Sequence, residues 1–249
     1  MKISIITTSY NCASTLGDTL ASMAGQSYGL REHVVIDGAS TDGTLAILRK
    51  HADTLAVLES EPDGGIYWGL NKGIARATGD VVGLLHSDDV FAHSKVLEHV
   101  AHAFADPFVD AVYGDLEYVS SRDPSRVIRH WRSGEFRRDQ LRWGWMPPHP
   151  TLYLRRSLYE RYGVFDTRYR IASDYDLMLR MLTQLKGRVV YLPEVLVRMR
   201  VGGESNGSLG RILRKSWEDY DALRSNRVGG VGALAWKNVS KLPQLVRRK

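Results

Sequence analysis

The hydrophobic positions fall into two alternating kinds of run. Residues 3–7, 33–36, 55–59 and 81–85 are short aliphatic, largely β-branched blocks with the length and composition of buried strands. Between them, residues 13–24, 40–50, 70–77 and 94–104 carry patterns that predict helices. Ser40-Thr41-Asp42-Gly43-Thr44 supplies capping residues for the second helix, and Gly64-Gly65 marks a turn before the third. Strands alternating with helices predict an α/β domain, a mostly parallel sheet flanked by helices on both faces.

The second half is less regular. A strand is expected at 111–113, helices at 157–162 and 174–185, and strands at 189–192 and 195–201. Residues 120–148 are rich in Arg and Trp without a clean period. A Gly/Ser-rich stretch at 202–210 leads into a basic helix over 211–224. The expected organisation is a catalytic domain over 1–208, with halves 1–120 and 121–208, and a basic helical tail over 209–249.

Composition narrows the class. A chain of 249 residues, 43% hydrophobic, buries a sizeable core as one large domain or one domain plus a tail. Cys12 is the only cysteine, which excludes an internal disulfide and predicts a reducing, cytoplasmic setting. The first residues are too polar for a secretory signal, and no apolar run approaches a membrane span.

The net charge of +6 conceals an asymmetry. Residues 1–120 hold 7 basic and 16 acidic side chains, residues 121–208 hold 17 and 9, and residues 209–249 hold 10 and 3. The acidic first half argues against nucleic acid as a partner and suits a metal cation. The basic remainder suits a diphosphate or an anionic membrane surface. Leu213, Trp217, Leu223, Leu234, Trp236, Leu242, Leu245 and Val246 add apolar surface to the tail. Peripheral attachment to an anionic inner membrane, near a lipid-linked acceptor, is one expectation. The other is a helix packed on the catalytic domain.

Three predicted strands end in polar signatures: Ser9-Tyr10-Asn11, Asp37-Gly38 and Ser87-Asp88-Asp89. Ligands of open α/β sheets bind beyond the carboxyl ends of the strands. Adjacent carboxylates such as Asp88 and Asp89 repel unless a cation or hydrogen bonds offset them, and Mg²⁺ or Mn²⁺ takes one or two carboxylates plus phosphate oxygens. The bland alternative is a helix start. Asp37 can accept from a base or ribose, or simply close an Asp-Gly turn; Asp63, before Gly64-Gly65, invites the turn reading more strongly. Ser173 and Asp176 have the spacing of a capping box, which leaves Asp174 for chemistry. His149, flanked by Pro148 and Pro150, suits a phosphate or an acceptor, or is a packed loop histidine. Tyr67, Trp68, Trp143 and Trp145 are stacking or packing aromatics. No Walker loop, dinucleotide fingerprint, zinc-ligand spacing or nucleophile elbow is present.

The motifs occur in a telling order. Ile5-Ile6-Thr7-Thr8-Ser9-Tyr10-Asn11 is followed by Val35-Ile36-Asp37-Gly38-Ala39-Ser40-Thr41-Asp42-Gly43-Thr44, Asn71-Lys72-Gly73-Ile74 and Leu84-Leu85-His86-Ser87-Asp88-Asp89. Later come His149-Pro150-Thr151, Gly163-Val164-Phe165-Asp166 and Ser173-Asp174-Tyr175-Asp176-Leu177. From residue 3 to about residue 205 the chain resembles family-2 glycosyltransferases of the GT-A fold, most of all bacterial enzymes that build surface polysaccharides and glycolipids.

The resemblance implies a single displacement with inversion, from a UDP-, GDP- or dTDP-sugar to a hydroxyl of a glycan or lipid-linked acceptor. It implies Asp174 as base, Asp89 as the direct Mg or Mn ligand with Asp88 beside it, and Asp37 on the nucleoside. The expected donor-binding set is Thr7, Ser9, Asn11, Asp37, Asp63, Asp88, His149 and Arg200. Three departures stand out: Thr8 replaces a common Pro, Ser173 precedes Asp174 where Glu is frequent, and Arg198 to Ser205 offers Arg200 where many members have His. A nucleotidyltransferase is the first alternative, but residues 9–15 lack its Gly-rich basic phosphate loop. A non-catalytic carbohydrate- or membrane-binding subunit is the second, opposed by Asp88, Asp89 and Asp174 occurring together.

Overall fold

In the computed structural model, residues 1–202 and 209–239 are described. In chain order the elements are β1 (Ile3–Ser9), α1 (Leu16–Ala24), β2 (Arg31–Asp37), α2 (Thr44–Lys50), β3 (Val57–Ser60), α3 (Ile66–Arg76), β4 (Val81–Leu84), β5 (Val90–Phe91), α4 (Val96–Ala103), β6 (Val109–Val119), β7 (Val127–Trp131), β8 (Tyr153–Arg155), α5 (Arg156–Tyr162), α6 (Ser173–Gln184), β9 (Arg188–Arg200), α7 (Leu209–Ser225) and α8 (Val231–Val239). The strands form one sheet in the order β3-β2-β1-β4-β8-β6-β9-β5, with β7 beside β6.

The four strands predicted in the first half are parallel neighbours, β2 to β3 and β1, and β1 to β4. The carboxyl ends of β1, β2 and β4 therefore share one edge. Beyond β4 the sheet turns mixed: β8 is antiparallel to β4 and β6, and β5 is antiparallel to β9. The expected mostly parallel sheet is observed, since β6 and β9 also pair in parallel, with antiparallel β5, β7 and β8 interleaved. Strands of two or three residues such as β5 and β8 carry no period of their own, so pattern alone misses them.

Alternation along β1 divides the core. Ile6 packs with Leu70 and Ile74 of α3 on one face, while Ile3 and Ile5 join Met23 of α1 and Leu97 and Val100 of α4 on the other. The approach of α3 to β1 needs Gly73, where a Cβ would lie 2.4 Å from Ile6 Cγ2. The two strands expected at 189–192 and 195–201 are one strand, β9. Pro193 lies where the register against β6 jumps from Tyr113↔Tyr191 to Asp115↔Val195. A bulge there tolerates a residue with no N–H to donate.

Helices α1 and α2 begin later than predicted, at Leu16 and Thr44, and neither N-cap residue makes a side-chain capping bond. Thr15 gives its hydroxyl to Ser87 O at 3.0 Å, and Ser40 gives its own to Asp37. The capping box at Ser173 is not formed: Ala172 is the N-cap of α6, and the Ser173 hydroxyl has no partner. Asp176 instead bonds Arg180 at 3.0 Å and Asn226 at 2.8 Å.

The predicted tail helix is observed as α7, and it packs on α6. Ala222 and Leu223 are buried in the main core, and Glu218, 3% exposed, caps α6 from outside its own sequence. Its carboxylate accepts from Arg170 N, Ile171 N and Ala172 N at 3.2, 2.8 and 3.0 Å. A boundary at 208/209 separates the helix that carries Asp174 from the residue that caps it. Leu242, Leu245 and Val246, like Glu204 and Ser205 of the late loop, lie outside the described residues. Among the described residues no helix is long and apolar enough to cross a membrane.

Candidate active site

Three clusters meet at the carboxyl edge of the parallel strands. The first joins β1 and β2. Asp37 is fully buried; it accepts from Ser9 Oγ at 2.9 Å, Ser40 Oγ at 2.6 Å, Ser40 N at 2.9 Å and Ser60 Oγ at 2.7 Å. Burial alone would raise its pKa, but these donors outweigh it and hold the carboxylate below its ordinary range. Asn11 Oδ1 accepts from Thr41 N at 2.9 Å, so the two loops are stitched together. Asn11 and Ala39 stand at positive φ, 48° and 59°, a conformation held at some cost beside a ligand site. Asp63 Oδ1 accepts from Gly65 N at 2.8 Å, and a Cβ on Gly38 would sit 3.6 Å from it. Asp63 therefore combines the expected turn role with a place at the end of β2.

Three members of the expected donor-binding set, Thr7, Ser9 and Asp37, are sequestered. Thr7 is fully buried, its hydroxyl shared between Leu85 O at 2.7 Å and His33 Nε2 at 2.8 Å. It shapes the sheet rather than presenting a group to a ligand. Asp37, with Ser9 bonded to it, likewise braces the loops from behind. The half-buried or exposed groups at this end are Asp63, Asn11 and Tyr10.

The second cluster is the acidic loop after β4. Thr15 and Thr19 of α1 fasten its backbone, through Ser87 O at 3.0 Å and Asp89 O at 2.8 Å. Asp89 is fully buried, and its Oδ1 accepts from the Arg200 N–H at 3.3 Å. Its Oδ2 has no partner among the described residues. Burial, then the neighbouring Asp88 charge, push the Asp89 pKa well above the ordinary carboxylate range, and burial raises that of Asp88. A buried carboxylate oxygen with no donor is costly unless a cation meets it. The pair thus fits a hard divalent ion, with Asp89 the ligand and the half-exposed Asp88 next to it.

Arg200, 6% exposed, lies behind this loop. One terminal nitrogen donates to Asp88 O at 2.7 Å and the other pairs with Asp18. Its Nε has no partner among the described residues. Arg200 is therefore first a brace of the acidic loop, with two of its donors already engaged by the protein.

The third cluster spans the edge between β4 and α6. Asp174 Oδ2 lies 3.2 Å from His149 Nδ1, and His149 Nε2 lies 3.0 Å from His86 Nε2. The Tyr67 hydroxyl donates to Ile171 O at 2.7 Å and approaches Asp174 Oδ1 at 3.4 Å. Tyr67 stacks on Phe165, and Asn71 clamps that residue's backbone at 2.8 and 2.9 Å. Trp145 packs against Tyr113 and Phe136, while Trp68 and Trp143 are exposed.

His86, Asp18 and Glu218, which brace the expected site residues, were not singled out by the sequence, and Tyr67 was named there only as a stacking or packing aromatic. His86 had a signal, standing two residues before Asp88. A separate His93, His99 and Glu194 group, invisible to spacing, forms a clasp between α4 and β9, with His99 Nδ1 2.8 Å from Glu194 Oε1.

A parallel-sheet edge that carries Asp89 and the half-exposed Asp88 beside a second, separately braced carboxylate has the chemistry of a cation- and ligand-binding α/β site. The model of glycosyl transferase family 2 matches residues 4–165, and the chain belongs to that family. An uncharacterised glycosyltransferase of Mycobacterium tuberculosis is 33% identical over 186 residues, covering 72% of this chain and 68% of its own length. A PGL/p-HBAD biosynthesis glycosyltransferase of Mycobacterium bovis is 33% identical over 181 residues, 71% and 68% of the two chains.

Among solved structures, S. aureus TarS 1-349 in complex with UDP-GlcNAc superposes with a TM-score of 0.72 at 21% identity, over 92% of this chain and 66% of that one. The chain spans only 39% of a longer TarS chain. The Pyrobaculum calidifontis mannosyltransferase PcManGT, in complex with GDP-Man and Mn²⁺, superposes with a TM-score of 0.67 at 23% identity, over 98% and 70%. These likenesses establish the GT-A fold.

Proposed function

We propose that the chain moves a sugar from a nucleoside-diphosphate sugar to a hydroxyl of a glycan or lipid-linked acceptor in surface-glycan synthesis, with inversion at the anomeric carbon. The observation that carries this reading is the buried, donorless Oδ2 of Asp89 at the end of a parallel strand. A bound Mg²⁺ or Mn²⁺ supplies positive charge to the departing diphosphate. Asp89 holds that ion, Asp88 shares its shell, and Arg200 fixes the loop that presents both. Asp63 and Asn11 face the nucleoside end of the donor, within loops that Asp37 and Ser9 keep in shape. Asp174 accepts the proton of the acceptor hydroxyl as the new bond forms. No covalent nucleophile is required.

Related structures with UDP-GlcNAc and with GDP-Man and Mn²⁺ support a nucleotide-sugar donor and a divalent ion. A thermal-shift screen of UDP-, GDP- and dTDP-sugars, each with and without Mn²⁺, tests the reading. One donor should raise the midpoint only when the ion is present. A flat response to every donor overturns it.

We also infer peripheral contact with an anionic membrane through α7. Leu213 and Trp217, four residues apart on one face, are 72% and 64% exposed. Arg211, Arg214 and Lys215 lie on the same turns. Sedimentation of the full chain with phosphatidylglycerol vesicles should fall several-fold in Leu213→Glu and Trp217→Glu. Unchanged sedimentation of both variants removes α7 from the account.

A further inference from the structure

We propose that His149 is a positioning residue for Asp174, held by His86 in the tautomer that carries its proton on Nδ1. His149 Nδ1 and Asp174 Oδ2 lie 3.2 Å apart, an ion-pair contact rather than an aligned hydrogen bond, and a bare nitrogen lone pair facing an ionised carboxylate at that distance repels it, so the facing nitrogen is the protonated one. Burial lowers the His149 pKa more than the Asp174 charge raises it, which keeps the ring neutral. Its other nitrogen is then bare and accepts the N–H of His86 Nε2 at 3.0 Å. The hydrogen bond between the rings therefore runs from His86 to His149, and the Nδ1–H of His149 faces the Asp174 carboxylate. Both ends of the His149 ring are tied, and Pro148 and Pro150 stiffen its backbone.

The consequence is a division of labour between the carboxylate oxygens. Oδ2 of Asp174 is engaged by His149, and Oδ1, with only the long Tyr67 contact at 3.4 Å, is the one offered to an acceptor. The far end of the chain is the acidic loop itself, because His86 O accepts from Asp89 N at 3.0 Å. One bridge, hydrogen-bonded from the loop to His149 and completed by the ion-pair contact with Asp174, therefore links α6 to the loop that presents Asp88 and Asp89. Displacing a reacting group by about 1 Å costs on the order of 100-fold in rate, which is the scale of effect such a bridge prevents.

Long-range ¹H–¹⁵N spectra of the full chain with ¹⁵N-histidine test the tautomer directly, with His149→Asn assigning one resonance among the 8 histidines. His149 should show a protonated Nδ1, and should lose that preference in Asp174→Ala. A protonated Nε2, or a cationic ring at pH 7.5, overturns the proposal.

The kinetic arm rests on the reading of Asp174 as the base, and uses UDP-GlcNAc or GDP-mannose, whichever the chain turns over with Mn²⁺. His149→Ala should lower kcat roughly 10- to 100-fold with donor KM within about twofold. His149→Asn, whose amide N–H stands near Nδ1, should recover most of that loss. Equal losses in Ala and Asn, or no loss in Ala, overturn the positioning role. An active Asp174→Asn overturns the base reading instead, and the tautomer measurement alone then decides the pairing.

Discussion

Asp89 is the residue whose environment explains its chemistry. A fully buried carboxylate with one oxygen unmet destabilises the metal-free protein. Asp89→Asn should therefore leave the metal-free protein as stable as the wild type or more so, while abolishing stabilisation by Mn²⁺ plus nucleotide. Thermal melts with and without Mn²⁺ check both halves. Asp37 is the contrast, a buried carboxylate with four donors. Asp37→Ala strands the hydroxyls of Ser9, Ser40 and Ser60 together with Ser40 N–H, and should cost about 2–3 kcal/mol in urea unfolding. The acidic pair was legible in the sequence because its members are adjacent and follow a buried strand. The His86–His149 contact was not, because its members lie 63 residues apart. Thr7 misled for a related reason: a hydroxyl near a strand end looks available until its partner His33 is placed on the neighbouring strand.

At the scale of elements, the helix that holds Asp174 depends on a helix thought to be an appendage. Glu218 of α7 accepts from the N–H groups of Arg170 and Ile171, in the turn leading into α6, and of its N-cap Ala172. Glu218→Ala leaves those donors unmet in a largely buried place and should cost about 2 kcal/mol by urea unfolding. Turnover should fall with it, because the first turn of α6 carries Asp174. Deleting residues from 209 onward should likewise destabilise the domain, so surface substitutions are the cleaner probe of membrane contact. Periodicity revealed α6 and α7 to within a residue or two but not their docking. The hydrophobic face of a helix reports that it packs, not on what. The capping box failed similarly, since Asp176 had the right spacing but meets Arg180 one turn along and Asn226 beyond α7.

At the scale of the molecule, buried ionisable groups set the pH range of the fold. Glu32 ties β1, β2 and the α3–β4 turn through Ser4, Thr78 and Lys2. Burial opposes its ionisation, but these partners prevail and bring its pKa from 4.5 to about 2. Its contribution, at most about 3 kcal/mol, is complete above pH 4.5 and is lost as pH falls through 2. Burial lowers His33 from 6.5 to about 4, so stability also declines as pH drops from 6.5 toward 4. Urea unfolding from pH 7 to pH 3 should show this acid loss, and His33→Gln should flatten its upper part.

The parallel half of the sheet, with its site edge, followed from alternation of strand and helix patterns. The mixed half did not, because β5 and β8 are two or three residues long and are fixed by partners distant in sequence, while β7 returns against β6 from a stretch without a clean period. What unites the molecule is one edge at which the donor loops, the acidic loop and the Asp174 helix are braced together.

The most direct measurement is calorimetric titration of wild type and Asp89→Asn with UDP-GlcNAc and GDP-mannose, in Mn²⁺ and in EDTA. The account predicts that the wild type binds one of these donors in Mn²⁺, that EDTA weakens it at least tenfold, and that Asp89→Asn binds equally weakly in both. Equal affinity in Mn²⁺ and EDTA for the wild type, or intact Mn²⁺ dependence in Asp89→Asn, would contradict it.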